Sequence, residues 1–143
     1  MIEYDINSII RKYIGIPFKD HGSSLDGCDC YGLVSLVYRK EFGLTLPQIG
    51  NLYDTAYDRA AINGLIAENT NVPWCITVND KQYMPFDVMV FRIAGLDYHM
   101  GMWVRPGYML HVTEGAETGI ERYDGIKWGK LLHRVLRHKE WKM

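Results

Sequence analysis

The sequence lacks a strong excess of charge of either sign. Its 16 lysines and arginines balance 17 aspartates and glutamates, which gives a formal net charge of −1. A nucleic-acid-binding surface usually appears as a strongly basic stripe, so the composition does not indicate a nucleic-acid partner. The densest group of basic residues lies near the C-terminus, and we interpret it as a solvated edge strand or tail: Lys127, Lys130, Arg134, Arg137 and Lys139.

Long apolar runs are also missing. No segment approaches the ~20 apolar residues that a membrane-spanning helix needs. The first five residues, Met-Ile-Glu-Tyr-Asp, are acidic and lack the apolar core of a signal peptide. We therefore expect that the protein is made in the cytoplasm and is not exported by the ordinary secretory route.

Cysteine is scarce, and the spacing of the cysteines does not suit a disulfide bond or a zinc site. The sequence contains three, Cys28, Cys30 and Cys75. An odd number argues against a disulfide framework in an unexported chain. Cys28 and Cys30 are also too close for an unstrained bridge. A zinc site formed with His21 has poor spacing, because Cys-x-Cys lacks a second matched pair. We expect reduced thiols, one of them reactive, and neither metal nor cofactor.

The length and the apolar content suit a single domain over residues 1–143, with 48% hydrophobic residues for its core. Apolar spacing predicts helices over residues 7–13, 30–42 and 53–68. Strand patterns follow from residue 73 onward, and helices followed by strands indicate an α+β fold. The predicted strands cover residues 74–78, 87–93, 100–104, 108–112, 119–123 and 131–138.

Cys30 is the candidate nucleophile. It directly follows Asp29, the natural N-cap of a predicted helix that Gly43 ends. Free backbone N–H groups and the helix dipole at a helix N-terminus stabilise a thiolate. Gly32 in the first turn costs roughly 1 kcal/mol relative to Ala, which indicates that another element approaches the helix there. Cys30 could instead be a small buried hydrophobic residue, and from composition alone that alternative is the stronger one.

A cysteine nucleophile needs a base, usually a histidine that a third group orients. The predicted strand segment that begins at His99 has two different faces. One face is apolar and should meet the core, and the other carries His99, Gly101 and Trp103. If residues 105–107 form a three-residue loop, Gly101 lies opposite His111 and His99 becomes its diagonal neighbour. A loop of residues 106–107 alone would turn His111 to the opposite face.

Three motifs in this order resemble the NlpC/P60 peptidases. Residues 27–34 (Gly-Cys-Asp-Cys-Tyr-Gly-Leu-Val) are similar to the family's nucleophile motif, and residues 99–104 with 109–112 are similar to its His…His segment. Residues 15–18 (Gly-Ile-Pro-Phe) and 85–91 (Pro-Phe-Asp-Val-Met-Val-Phe) also fit. The resemblance runs from about Ile9 to the C-terminus and is typical of the phage-tail branch, in which a bulky residue often follows the cysteine.

The resemblance implies a papain-like fold, with N-terminal helices packed on an antiparallel sheet of five to six strands. It implies hydrolysis of peptidoglycan stem peptides through a thioester, typically at the bond between D-glutamate and a diamino acid. Carried over by motif, Cys30 is the nucleophile, His99 the general base, and His111 the residue that orients His99. The branch implies phage tail or tail-tip partners, and delivery by a particle to the virion tail or periplasm.

Two departures from the family pattern bear on substrate binding. Phe18 stands where the family often has a tyrosine, and Tyr31 where it often has a serine. In members that act on free stem-peptide N-termini, these positions and Asp29 help to hold the amine, so such recognition is in question here. Asp29 could also serve only as the N-cap. Trp103 shares the His99 face and is a further candidate for lining the cleft, with simple packing as its alternative.

Two other functions stay open at this point. Phe18 and Tyr31 favour a structural tail-assembly module that does not use the site. A papain-like protease or acyltransferase acting on another substrate is the second alternative. The complete Cys–His–His set argues against a purely structural role.

Overall fold

The computed structural model describes residues 4–46 and 75–141. The predicted helix over residues 53–68 and the first residue of the predicted strand 74–78 lie outside the described residues. Helix α1, Ile6–Lys12, begins after Asp5, whose carboxylate accepts a hydrogen bond from the Ser8 N–H. No helix in the described part of the chain is long and apolar enough to cross a membrane.

Helix α2 runs over Cys30–Val37 and continues as one π-helical turn over Tyr38–Phe42. It ends at Gly43, which adopts the left-handed conformation with φ of 63° and so provides the predicted stop. The predicted helix over residues 30–42 therefore exists but changes type. The change begins at Tyr38, whose hydroxyl donates to the Phe86 carbonyl at 2.5 Å and ties this turn to the sheet.

The strands are β1 Ser23–Ser24, β2 Gly27–Cys28, β3 Cys75–Thr77, β4 Val88–Ile93, β5 Leu96–Arg105, β6 Tyr108–His111, β7 Gly119–Arg122 and β8 Leu132–His138. Six of them form one antiparallel sheet in the order β3-β8-β4-β5-β6-β7, and a short hairpin of β1 and β2 precedes α2. The predicted α+β fold with five to six strands is confirmed.

The C-terminal basic segment is not a solvated edge, so that interpretation was wrong. Strand β8 lies between β3 and β4 in the sheet. Its Arg137 makes a two-pronged ion pair with the fully buried Asp87, at 2.9 Å from Nε and 2.8 Å from Nη2. A bidentate pair of this kind fixes geometry, because the planar guanidinium matches the carboxylate. Arg137 thus joins β8 to the turn before β4.

Both faces of the sheet are covered. On one face, Met100, Met102 and Val104 belong to a core cluster that includes α1 and α2, as their apolar alternation predicts. On the other face lies a smaller cluster, in which Phe91 and Trp128 are buried. The face that carries His99 is therefore also enclosed, which alternation along a single strand cannot reveal.

The β5–β6 hairpin combines the shorter of the two loops considered above with the register expected for the longer one. Its turn contains only Pro106 and Gly107, with Arg105 opposite Tyr108. A β-bulge between Trp103 and Arg105 takes up one extra residue and restores the pairing of Trp103 with Met109. The bulge therefore keeps the histidines of the two strands on the same face, which a two-residue turn alone would prevent.

Candidate active site

Cys30 is the first residue of α2, and Asp29 is its N-cap as predicted. One carboxylate oxygen of Asp29 accepts from the Gly32 N–H at 2.7 Å, and the other accepts from the His21 N–H at 2.9 Å. The Asp29 side chain is almost fully buried. Asp29 thus holds the helix start and the preceding loop together, which fixes the position of the thiol.

Gly32 lies against the loop that precedes β1. A Cβ at this position would be 1.7 Å from the carbonyl oxygen of Gly22, a distance that no side chain can occupy. The same carbonyl accepts a hydrogen bond from the Asp29 N–H at 3.2 Å. The prediction that another element approaches the helix beside the thiol is confirmed.

The two histidines form a direct hydrogen bond. His99 Nε2 and His111 Nδ1 are 2.9 Å apart, and the rings meet edge to face with their centroids at 5.1 Å. Both residues are buried, with exposed fractions of 5% and 6%. The prediction that these rings meet is confirmed, and the contact leaves His99 Nδ1 as the ring nitrogen available for chemistry.

Helix α2 packs against β5, the strand that carries His99. The backbone amide of Met100, the residue after His99, is near enough to the Cys30 thiol to lower its pKa, as are the amides of Tyr31 and Cys30. Strand β6 ends at His111, next to Gly101, so its pairing with β5 stops before His99. The candidate nucleophile and the candidate base therefore lie on elements that pack against each other.

Burial keeps the resting site uncharged. Desolvation, with a smaller contribution from the Asp29 charge, raises the pKa of the Cys30 thiol to about 12. Desolvation also lowers the pKa of His99 to about 3, aided by repulsion from His111 and Lys127. The expected thiolate is therefore not the resting form, because burial outweighs the three amides that favour negative charge. The site holds a neutral thiol next to a neutral imidazole.

Two residues near the histidines were missed by the sequence analysis. Glu121 on β7 contacts His111, with Oε1 at 2.7 Å from Nε2. Trp128, from the connection between β7 and β8, stacks on His99 with ring centroids at 4.8 Å and planes inclined by 23°. The strand pattern of residues 119–122 could have indicated Glu121. Trp128 comes from an irregular segment, so no periodicity pointed to it.

The Trp128 side chain is held by ring contacts and by apolar neighbours that include Met109 and Val135. Its indole also meets Phe91 at 5.1 Å and His111 at 5.4 Å between centroids. Within the described part of the chain, Trp128 Nε1 is buried without a hydrogen-bond partner. Burying an unpaired N–H costs free energy, so the contacts of the ring must offset that cost. The indole therefore acts as a cover that keeps water away from both imidazoles.

Phe18 and Tyr31 lie close to Cys30 but differ in exposure. Phe18 is partly buried, and its backbone forms a bridge with Cys28. Tyr31 is 7% exposed and lies in the core, where burial raises the pKa of its hydroxyl. Most of the Tyr31 side chain is therefore withdrawn from solvent beside the thiol.

Trp103 lies away from the thiol. It is four residues along β5 from His99, roughly 13 Å at the usual rise of a strand. Its Nε1–H donates to the Tyr123 hydroxyl at 3.1 Å. Trp103 lines a separate pocket of about 850 Å³, together with Tyr83, Tyr123 and Lys130. The structure does not bring Trp103 together with Cys30.

The cysteines do not gather into a metal site. Cys28, Cys30 and Cys75 are all buried free thiols. Over residues 4–46 and 75–141, no group of three or more His, Cys, Asp or Glu side chains is placed to hold a metal ion. Burial raises the pKa of Cys28 to about 12 and that of Cys75 to about 11.

The sequence profile of the NlpC/P60 family matches residues 15–137 of this chain. The chain belongs to the NlpC/P60 family. The match contains α2, the β5–β6 hairpin and every residue of the site described above.

A curated relative from Escherichia coli K12, the murein DD-endopeptidase MepS/murein LD-carboxypeptidase, is 21% identical over 123 residues. The alignment covers 86% of this chain and 56% of the relative, so the chain spans about half of that protein's length.

Solved structures share the fold. An NlpC/P60 family protein from Bacillus cereus superposes with a TM-score of 0.69 at 19% identity, covering 94% of this chain and 39% of that one. The NlpC/P60 domain of the peptidoglycan hydrolase SagA gives a TM-score of 0.61 at 20% identity, covering 92% and 95%. RipD from Mycobacterium tuberculosis, described as a non-catalytic NlpC/P60 domain protein adapted to peptidoglycan binding, gives 0.61 at 16% identity, covering 95% and 98%. The fold thus occurs with and without catalysis.

Proposed function

We propose that this protein is a cysteine endopeptidase that hydrolyses peptidoglycan stem peptides, at the bond between D-glutamate and a diamino acid. The observation that carries the proposal is the His99–His111 hydrogen bond on β5, the strand against which helix α2 packs with Cys30 as its first residue. A thiol, an imidazole and a group that orients the imidazole are the parts that nucleophilic acyl transfer requires.

The proposed reaction follows from the neutral resting pair. As the Cys30 sulfur attacks the carbonyl carbon, His99 Nδ1 takes the thiol proton, and the Cys30 N–H in the first turn of α2 stabilises the oxyanion. The C–N bond then breaks, the amine leaves with the proton from His99, and a thioester remains. Water attacks the thioester while His99 accepts its proton, and the sulfur departs as the thiol when that proton returns.

The substrate contacts bear on which peptides are accepted. Both carboxylate oxygens of Asp29 accept backbone hydrogen bonds, and Tyr31 is withdrawn into the core. We therefore propose that Asp29 and Tyr31 line the wall of the cleft but do not bind a free amine. A stem peptide acylated at its N-terminus should then be cleaved about as well as a free one.

We propose that the enzyme is a component of a phage or phage-like tail. It would then be located in the virion tail, or be delivered by the particle to the periplasm. The support is the bulky Tyr31 directly after the nucleophile, a feature of the phage-tail branch. An immunogold or cross-linking assay on purified particles would test the assignment, and a signal confined to the cytoplasmic fraction would contradict it.

A non-catalytic tail module is the second candidate. The observations that favour it are the burial of Cys30 and His99, with exposed fractions of 6% and 5%, and the stacking of Trp128 on His99. A substrate would have to reach a thiol that the folded chain leaves almost unexposed. RipD shows that a non-catalytic protein can have this fold.

The deciding experiment incubates the wild type and Cys30→Ala with L-Ala-γ-D-Glu-diaminopimelate peptides, free and N-acylated, and follows the products by mass spectrometry. Cys75→Ala is the matched control, because it also removes a buried thiol but far from His99 in the fold, on β3. We expect wild type and Cys75→Ala to cleave both peptides and Cys30→Ala to lose at least about a thousandfold in rate. Absence of cleavage by folded wild type would favour the non-catalytic module.

A further inference from the structure

Glu121 extends the line of polar groups that starts at the thiol. Its Oε1 lies 2.7 Å from His111 Nε2, and His111 Nδ1 in turn lies 2.9 Å from His99 Nε2. The His111 side chain is 7% exposed, whereas that of Glu121 is 40% exposed. The contact therefore joins a half-exposed carboxylate to a buried imidazole that desolvation keeps neutral.

We infer that Glu121 is a positioning residue that selects the tautomer of both histidines and thereby makes His99 Nδ1 the base. This inference rests on the proposed function, since it assigns a role within the proposed reaction.

The proton positions follow one another along the chain of contacts. An ionised carboxylate can only accept, so the hydrogen of neutral His111 lies on Nε2, facing Glu121. His111 Nδ1 is then an acceptor, and its contact with His99 requires a hydrogen on His99 Nε2. Neutral His99 has one ring hydrogen, so Nδ1 carries a lone pair and can take the thiol proton.

The opposite arrangement shows what Glu121 prevents. If the His111 hydrogen were on Nδ1, it would be donated to His99 Nε2. The single hydrogen of His99 would then lie on Nδ1, and the imidazole would have no lone pair for the thiol. Both arrangements satisfy the contact between the histidines equally, so that contact alone does not choose between them. The carboxylate at the far end does.

The fold gives Glu121 this place through strand pairing. Strand β7 pairs with β6 so that Glu121 lies opposite Met109 and Gly119 lies opposite His111. Glu121 and His111 are therefore diagonal neighbours on one face, within reach of long side chains. The charges that act on the two imidazoles are Glu121 from β7 and Lys127 from the β7–β8 connection, with the rings themselves on β5 and β6. Glu121 is the anion among these groups.

The direct test is long-range ¹H–¹⁵N NMR of the imidazoles in histidine-labelled protein near neutral pH. Wild type, Glu121→Ala and the control Glu140→Ala are compared, since Glu140 is an exposed glutamate beyond β8. We expect the Nε2–H tautomer for both His99 and His111 in wild type and in Glu140→Ala. In Glu121→Ala, His111 should populate both tautomers. A His111 Nδ1–H tautomer in wild type, or unchanged tautomers in Glu121→Ala, would overturn the inference.

A functional readout uses iodoacetamide alkylation of Cys30 followed across pH. Glu121→Ala should be alkylated more slowly near neutral pH, by about twofold if the two tautomers are equally populated, because part of the protein then holds His99 without a basic Nδ1. Its unfolding midpoint in urea should stay close to that of the wild type, which a merely structural role would not predict. Alkylation needs no peptide substrate, so a failure to hydrolyse stem peptides would count against the proposed function and leave this readout intact. Equal alkylation rates in Glu121→Ala and wild type would refute the tautomer role.

Discussion

At the scale of single residues, the indole of Trp128 shields the His99 imidazole from water. It covers one face of His99 and touches the edge of His111. Desolvation is the first cause of the lowered His99 pKa, and Trp128 supplies much of the apolar surface against that ring. Removing the indole admits water to the imidazole, which favours its charged form.

Trp128→Ala is therefore predicted to raise the pKa of His99 from about 3 toward its ordinary value. Because alkylation of Cys30 requires neutral His99, the acid limb of the alkylation rate should move to higher pH. Trp103→Ala is the control, since it also removes an indole, but at a position on β5 four residues away from His99. Alkylation profiles from pH 3 to pH 8 would check the shift, and superimposable acid limbs for Trp128→Ala and wild type would contradict it.

At the scale of secondary-structure elements, Asp29 has two opposing effects at the start of α2. It caps the helix, and its charge disfavours the Cys30 thiolate. The Asp29 carboxylate binds the Gly32 and His21 amides and so fixes the helix start. The same negative charge raises the pKa of the adjacent thiol. A cap that kept the hydrogen bonds without the charge would therefore separate the two effects.

Asp29→Asn is predicted to keep a cap at Gly32, because an amide oxygen also accepts, and to lower the pKa of Cys30 below that of the wild type. Asp29→Ala should lose the cap and destabilise the protein by about 1–2 kcal/mol. Ultraviolet titration of the thiolate and urea unfolding would measure the two effects. Asp5→Asn, the equivalent change at the cap of α1, should leave the thiol titration unchanged. A Cys30 pKa that rises in Asp29→Asn would be inconsistent with this account.

Sequence patterns predicted the helices and strands better than they predicted the contacts between them. Alternation located the strands, and the Asp29 cap and Gly43 stop located α2, because these signals depend on neighbouring residues. The β-bulge near Trp103 was not predicted, since it reflects pairing between two strands rather than either strand alone. Glu121 and Trp128 were missed for the same reason. Their importance comes from contacts with histidines that are distant in sequence. Only Glu121 lies in a regular strand, whose pattern could have indicated it.

At the scale of the whole molecule, the buried site makes stability depend on pH. Burial lowers the pKa of His99 and of His111, so both are neutral when folded and take up protons when unfolded below their ordinary pKa near 6.5. Their stabilising contribution is complete above that pH and is lost as pH falls toward the folded values. The raised Cys30 pKa acts in the other direction, with stability lost as pH rises from about 9 toward 12.

Acidification from pH 7 to pH 4 is predicted to reduce the free energy of unfolding, with a slope approaching about 1.4 kcal/mol per pH unit from His99 and a further loss of the same sign from His111. Urea unfolding at intervals across that range would measure the slope. His99→Gln removes one of the two titrating groups while keeping a polar side chain, so its slope should be shallower. Parallel slopes for His99→Gln and wild type would show that His99 does not contribute to the acid sensitivity.

The length of β6 has a consequence for the whole fold. Two more residues of regular pairing beyond His111 would carry β6 alongside His99 and close that edge of β5 with backbone hydrogen bonds. His99 would then have a strand beside it instead of lying beyond the end of β6. The surroundings of the candidate base thus depend on where one strand stops, a property of strand pairing that a list of reactive side chains does not show.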